Sequence, residues 1–218
     1  LGCGAAPVIS ELLKRGYTWV VDADLKSYFD TIPHDSLVER VEEKVSDGAV
    51  IALLKGYLKQ DVMDAMKRWT PEGGTPQGAV LSPLLSNLYL HLLDHRMEQA
   101  GVEMVRYADD FMLLCRSREE AERALERVRE WTAKAGLTLH PVKTQIVDAQ
   151  KESFDFLGYR FDRGRRWPRA KSRKKFRDTI RAKTRRTNGH SLKVVIEDLN
   201  RTLKGWFEYF KHSDKLTF

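Results

Sequence analysis

An α+β fold, a sheet with helices packed on it and a helical basic module after it, is what this sequence predicts. Three observations carry that expectation. Short β-prone runs and helix-spaced apolar stripes alternate in the order β-α-α-α-β-β-α-β through roughly the first 160 residues. The 218 residues are 42% hydrophobic and 32% charged, a balance that supports a sizeable core and argues against wholesale disorder. Charge is also unevenly spread. Residues 163–218 hold 18 Lys and Arg against 5 Asp and Glu, whereas residues 1–162 hold 20 against 26. The body is therefore expected at 1–162 and the basic helical domain at 163–218.

The elements follow in order. Trp19-Val20-Val21-Asp22-Ala23-Asp24 reads as a short strand with both aspartates on one face, by the period of two. Pro33 and Asp35 introduce a helix over Ser36–Val45, and a second is expected over Val50–Leu58. Gly73-Gly74-Thr75-Pro76-Gln77-Gly78 is a loop. Beyond it Leu81, Leu84, Leu85, Leu88, Leu92 and Leu93 line one helical face, with Pro83 near the start and Ser82 read as a cap.

Val102–Arg106 and Phe111–Cys115 flank Tyr107-Ala108-Asp109-Asp110, the tip of a hairpin. Ser117 and Glu120 form a capping box for a helix that Gly136 stops. Leu137–Leu139, Gln145–Val147 and Phe154–Phe161 read as strands, and Leu192 to Phe210 as an amphipathic helix.

Composition excludes several classes. The longest apolar runs, such as Phe111–Cys115, are far short of the roughly 18 residues that span a membrane. No basic-then-apolar signal stretch opens the chain, and the first residue, Leu1, reads as that of a fragment or processed piece. Cys3 and Cys115 alone build neither a disulfide framework nor a cysteine zinc site, which fits the reducing cytoplasm. His34, His91, His95 and His140 read as structural.

The basic run from Arg163 to Arg186, with Trp167 and Phe176 interleaved, offers phosphate-binding charge beside stacking surfaces; a solubilising surface or basic tail is the plain alternative. Carboxylates in a β context are the second clue. Asp22 and Asp24 sit in an apolar strand and Asp109 and Asp110 at a hairpin tip, where a divalent cation is one reason for them. A turn at Asp109-Asp110, a solvent-facing strand end at Asp24, and a D-x-D site for a metal–nucleotide sugar, as in glycosyltransferases, explain each pair singly.

Together with their surroundings these segments resemble a known family. Asp24-Leu25-Lys26-Ser27-Tyr28-Phe29-Asp30, then Thr75-Pro76-Gln77-Gly78 with Leu81 to Leu90, then Tyr107-Ala108-Asp109-Asp110, then Gly136 to Thr144, and then Phe154-Asp155-Phe156-Leu157-Gly158-Tyr159 resemble five consecutive blocks of reverse transcriptases. The likeness is nearest to the group II intron-encoded type, covers about residues 17–161, and extends more loosely into the basic module.

That resemblance implies a right-hand polymerase palm, an antiparallel sheet with packed helices, with part of the fingers at its start and a thumb-like, maturase-like domain after it. Asp24 and Asp109 would be the principal ligands of two Mg²⁺ ions, with Mn²⁺ as a substitute, Asp110 beside them, and the Leu25 carbonyl completing the set. Phe29 would be the gate that excludes a 2′-hydroxyl; Gln77 and Gly78 would lie over the template base and incoming nucleotide. Lys143 would neutralise or protonate the leaving pyrophosphate, and 154–159 would grip the primer. The implied partners are an RNA template with a DNA or RNA primer, dNTPs and intron RNA. Two functions follow, an RNA-directed DNA polymerase or an RNA-binding maturase without independent polymerase activity. The family's basic fingers segment precedes its first block, and only 23 residues precede Asp24 here, so those contacts lie outside this chain or come from elsewhere. No nuclease pattern follows the basic segment.

Overall fold

The computed structural model describes residues 4–60, 62–64, 67–69, 73–75, 80–187 and 189–214. In chain order the first elements are α1 (Ala5–Lys14), β1 (Trp19–Ala23), α2 (Tyr28–Thr31), α3 (His34–Glu42), α4 (Gly48–Leu58), β2 (Val62–Asp64), β3 (Lys67–Trp69) and α5 (Ser82–Gln99). Then come β4 (Glu103–Tyr107), β5 (Asp110–Cys115), α6 (Arg118–Lys134), β6 (Gln145–Asp148), β7 (Phe154–Phe156), β8 (Tyr159–Asp162), β9 (Arg165–Pro168), α7 (Ala170–Lys183) and α8 (Leu192–Phe210). Packing divides the chain into two compact units: Val20–Ile146, and Leu1–Trp19 together with Val147–Phe218.

The main sheet has the order β4-β5-β1-β6. Within Val20–Ile146 its core is Val20, Val21, Phe111, Met112 and Leu113, with Leu90, Leu93 and Met97 of α5 and Ala121 and Val128 of α6, all fully buried. Full burial of each of the larger aliphatic or aromatic side chains is worth about 1.5–3 kcal/mol, so this layer fixes sheet and helices as one body. Local chemistry sets the helix ends. Asp47 caps α4 by accepting from the N–H groups of Ala49 (2.8 Å) and Val50 (3.3 Å). Ser117 Oγ accepts from Glu120 N–H (3.2 Å) and Glu120 returns a carboxylate to Arg116 N–H (2.9 Å), one residue outside the expected box. Gly136, at φ 69°, ends α6, and Leu137 N–H closes back on the Thr132 carbonyl (2.8 Å).

The expected elements are present with shifted edges. The helix expected at Ser36–Val45 is α3, drawn back to His34 because Pro33 offers an N-terminal boundary and its carbonyl takes the Leu37 N–H (3.0 Å). The Leu137–Leu139 strand shrinks to a single bridge, Leu25–Leu139. Ser82 is no cap: it is buried at the first turn of α5 with its Oγ 3.3 Å from the Tyr57 hydroxyl.

In the other unit, β7, β8 and β9 form an antiparallel meander. Its two turns, Leu157-Gly158 and Arg163-Gly164, each place both residues at positive φ, the type I′ geometry that suits the twist of paired strands. Phe154 stacks on Phe161 at 4.9 Å, Tyr159 packs on Phe210 at 4.9 Å, and Trp206 lies between Phe210 (4.8 Å) and Phe176 (4.5 Å). Phe176 is therefore spent on the packing of α7 against α8 and not offered as a stacking surface. Arg166 is likewise internal. Its Nη1 donates to the Ala6 carbonyl (2.8 Å) and Ser10 Oγ (2.5 Å) of α1, and its Nε to the His212 carbonyl (2.5 Å). By packing alone the chain divides at 146/147, because the β7–β9 aromatics share a core with α8.

Candidate active site

β1 ends at Ala23, and the chain leaves the sheet through Asp24. Val21 and Ala23 are buried while Asp22 and Asp24 are half-buried, so the alternation read from sequence holds. The backbone here is laced to a distant segment. His140 N–H donates to the Asp24 carbonyl (2.7 Å) and Lys26 N–H to the Thr138 carbonyl (2.8 Å), one on each side of the Leu25–Leu139 bridge. In that antiparallel pattern Leu25 exchanges neither bond with Leu139, so its own carbonyl is directed to the opposite side of the strand.

The same lacing delivers Lys143. His140 Nδ1 accepts from the N–H groups of Val142 (3.3 Å) and Lys143 (3.4 Å), and Thr144 N–H donates to the His140 carbonyl (3.1 Å). The tight turn that results leaves Lys143 Nζ 2.8 Å from Asp24 Oδ2. The hydrogen bond to Asp24, that carboxylate's charge, and a smaller pull from Asp110 raise the ammonium's pKa above its ordinary value. One cationic head thus lies under the influence of carboxylates from two segments far apart in the chain. Lys143 is 62% exposed and Asp24 29%, so the pair is open to solvent and to competing ions.

Asp109 and Asp110 stand at the tip of the β4–β5 hairpin, in which Tyr107 pairs with Asp110. Ala108 and Asp109 make the two-residue turn, Ala108 at φ 55°. β5 lies next to β1 in the sheet. Behind the tip Arg106 forks onto Asp94, Nε to Oδ1 at 2.7 Å and Nη2 to Oδ2, while its Nη1 reaches Asn87 Oδ1 (2.8 Å) and the Ala108 carbonyl (2.9 Å).

Tyr28 lies buried nearby and donates to the Ser86 carbonyl at 2.7 Å. Burial pushes its phenol well above the usual range, with Arg106 pulling down and Tyr89, Asp109 and Asp94 pushing up. Phe29 meets Tyr28 edge to face at 5.5 Å. The Phe29 carbonyl accepts Thr75 N–H (2.6 Å), the Ile32 carbonyl accepts Gly74 N–H (2.7 Å), and His34 Nε2 lies 2.7 Å from the Gly74 carbonyl. The start of the glycine-rich loop is thereby stapled to the backbone beside Phe29. Gln77 and Gly78 fall outside the described residues.

The unit Val20–Ile146 therefore carries Asp24, Leu25, Phe29, Asp109, Asp110 and Lys143, and it brings Lys143 to Asp24 with Asp110 in electrostatic reach. Among the described residues, no group of three or more His, Cys, Asp and Glu is gathered so as to hold a metal ion. The donor chemistry nonetheless suits a hard cation: the oxygens are carboxylates, and an ammonium already occupies one of them. Sequence reading gave no site role to Arg106, Asp94 or Asn87. The signal was faint: Arg106 ends a β-prone run and Asp94 follows Leu92-Leu93, each a charge beside apolar residues. His91 and His95, one turn apart on α5, meet Nε2 to Nε2 at 3.0 Å, and His95 Nδ1 faces Glu98 Oε2 at 3.3 Å.

The sequence matches the family described as Reverse transcriptase (RNA-dependent DNA polymerase) over residues 8–161. The chain belongs to that family. Residues 173–217 match the maturase-specific domain of group II introns. Protein YkfC of Escherichia coli is 29% identical over 184 residues, covering 67% of this chain and 48% of that protein. The group II intron-encoded protein LtrA of Lactococcus lactis is 36% identical over 91 residues, 42% of this chain and 15% of that protein. The chain thus spans less than half the length of either relative. Apo telomerase from Candida tropicalis shares the fold, with a TM-score of 0.61 at 14% identity over 94% of this chain and 45% of that one. Reverse transcriptases generally use divalent metal ions. No helix among the described residues is long and apolar enough to cross a membrane.

Proposed function

We propose that this chain is the polymerising part of a group II intron-type reverse transcriptase, which extends a DNA or RNA primer on an RNA template with dNTPs. The observation that carries the reading is the Lys143 ammonium held on Asp24 and under the influence of Asp110. Three groups distant in sequence share one electrostatic neighbourhood, as nucleotidyl transfer requires. Residues 1–162 then act as palm and 163–218 as thumb.

Asp24 and Asp109 would hold two Mg²⁺ ions, with Asp110 beside them and the Leu25 carbonyl completing the set; Mn²⁺ is an acceptable substitute. When bound, such ions acidify the primer 3′-hydroxyl and offset charge on the pyrophosphate. The remaining work belongs to the side chains. Lys143, on an exposed stem, turns from Asp24 to hydrogen-bond and protonate the departing phosphate oxygen. Phe29, fixed by Tyr28 and by its backbone bond to Thr75, walls off the sugar 2′ position. Gln77 and Gly78 take the template base and incoming nucleotide. The exposed cations of α7 bind template–primer phosphates, with affinity that falls steeply with salt. The cysteine usage fits a cytoplasmic enzyme.

The test is extension of oligo(dT) on poly(rA) with dTTP and Mg²⁺. Asp24→Ala and Asp109→Ala should each lower the rate about a thousandfold, from the loss of several kcal/mol of charge stabilisation, while filter-bound template–primer stays near wild type. Extension that survives Asp109→Ala sinks the reading. A second reading, a maturase that binds intron RNA without polymerising, is favoured by the maturase-domain match over 173–217. Inactive wild-type protein with tight, specific binding of structured intron RNA would select it.

A further inference from the structure

We infer that Arg106 is a positioning residue: it locks the hairpin tip bearing Asp109 and Asp110 onto α5. The inference rests on the polymerase reading for its catalytic consequence, and on geometry alone for the lock.

The tip needs an external hold. A two-residue hairpin turn is normally built from Gly, Asn or Asp, which accept positive φ, yet here the positive φ of 55° falls on Ala108. Nothing in an alanine side chain favours that conformation. Arg106 supplies what the turn lacks, a donor to the Ala108 carbonyl at 2.9 Å.

The guanidinium is itself held. Its side chain is only 13% exposed, and three nitrogens are committed: Nε and Nη2 to the two oxygens of Asp94, and Nη1 to Asn87 Oδ1 as well as to Ala108. Asn87 and Asp94 are two turns apart on α5, so they approach the guanidinium from one helical face. That helix is anchored by fully buried Leu90, Leu93 and Met97. A rigid path therefore runs from the core through α5 to Arg106 and on to the backbone one residue before Asp109. Lysine could match the charge but not the planar fork that serves Asp94 and Ala108 together. Carboxylates that would hold ions at a reacting phosphate must be placed to about half an ångström, and a displacement near 1 Å costs on the order of a hundredfold in rate.

Two variants and a control test this. Arg106→Lys and Asp94→Asn should each reduce kcat for primer extension ten- to a hundredfold, leave the KM for template–primer within about threefold, and raise the Mg²⁺ concentration for half-maximal rate. The double variant should lose little beyond either single one, because both break the same path. Val128→Ala, a cavity in the buried face of α6 away from the tip, serves as a control of comparable loss in Tm and should keep kcat. Independently of activity, hydrogen exchange at the Ala108–Phe111 amides should quicken at least tenfold in Arg106→Lys and not in Val128→Ala. Unchanged exchange at the tip overturns the lock. Faster exchange with a kcat equal to that of Val128→Ala overturns the catalytic consequence. Activity that survives Asp109→Ala overturns the polymerase reading instead, and that arm is scored on wild-type Arg106.

Discussion

Gly74 sits where the glycine-rich loop leaves the backbone of Phe29, and its replacement by alanine tests that junction directly. Gly74 has φ 85°, and a Cβ there would lie 2.5 Å from the Phe29 carbonyl oxygen and 2.7 Å from Asp30 Cα. The left-handed backbone alone costs an alanine about 1–2 kcal/mol. The contact adds a second cost, because ordinary van der Waals separation demands that one backbone segment retreat by roughly an ångström, and overpacking of that kind costs about 1–3 kcal/mol. Gly101 separates the two effects. It lies in the same unit at φ 67° with nothing within 4 Å of its Cβ position, so Gly101→Ala carries the backbone cost only. At about 2–4 °C per kcal/mol for a chain of this size, Gly101→Ala should lower Tm by about 4 °C and Gly74→Ala by about 10 °C. The displaced loop should also raise the KM for dNTP, since Thr75 loses its grip on Phe29, while Gly101→Ala leaves it unchanged. Circular-dichroism melts and steady-state extension read both. Equal Tm losses in the two variants, or an unaltered KM in Gly74→Ala, would refute the close approach.

Arg166→Ala should destabilise the protein by about 2–3 kcal/mol, since it removes charged hydrogen bonds to Ala6, Ser10 and His212, and should leave the salt slope of RNA binding unchanged. Arg177→Ala, on exposed α7, should do the reverse, with little change in Tm and a slope lower by about 0.9 if it contacts one phosphate. Cys115 is buried and its thiol is pushed up to about 11, chiefly by that burial. In a Cys3→Ser background a disulfide reagent at pH 8 should therefore find about one thiolate in a thousand and react only after denaturation. Rapid labelling of the native protein would contradict that environment.

How far the sequence could be read follows from which interactions are local. The Ser117–Glu120 cap and the Asp109-Asp110 tip were legible because turn and cap chemistry is written within four residues. Lys143 was visible only by resemblance. What brings it to Asp24 is a pair of backbone bonds, at Thr138 and His140, which no side-chain pattern announces. β9 was hidden for a different reason. Its Arg165-Arg166-Trp167 reads as polyanion-binding charge, although Arg163-Gly164 already offered a turn with positive φ. α7 buries no residue fully, so it left no apolar stripe to find. The Arg106–Asp94 fork joins a strand to a helix twelve residues away, and its two charges stood out only faintly, each beside apolar residues.

Asp24 and the Asp109 hairpin should serve one divalent-cation site. Iron-directed hydroxyl-radical cleavage, with Fe²⁺ replacing Mg²⁺ in the presence of template–primer and dNTP, reads this without recourse to turnover. Backbone cuts should appear together near residues 22–26 and 107–111, fade with excess Mg²⁺, and vanish from both segments in either Asp24→Asn or Asp109→Asn. Cuts confined to one segment, or lost from each segment only when its own aspartate is changed, would contradict a shared site.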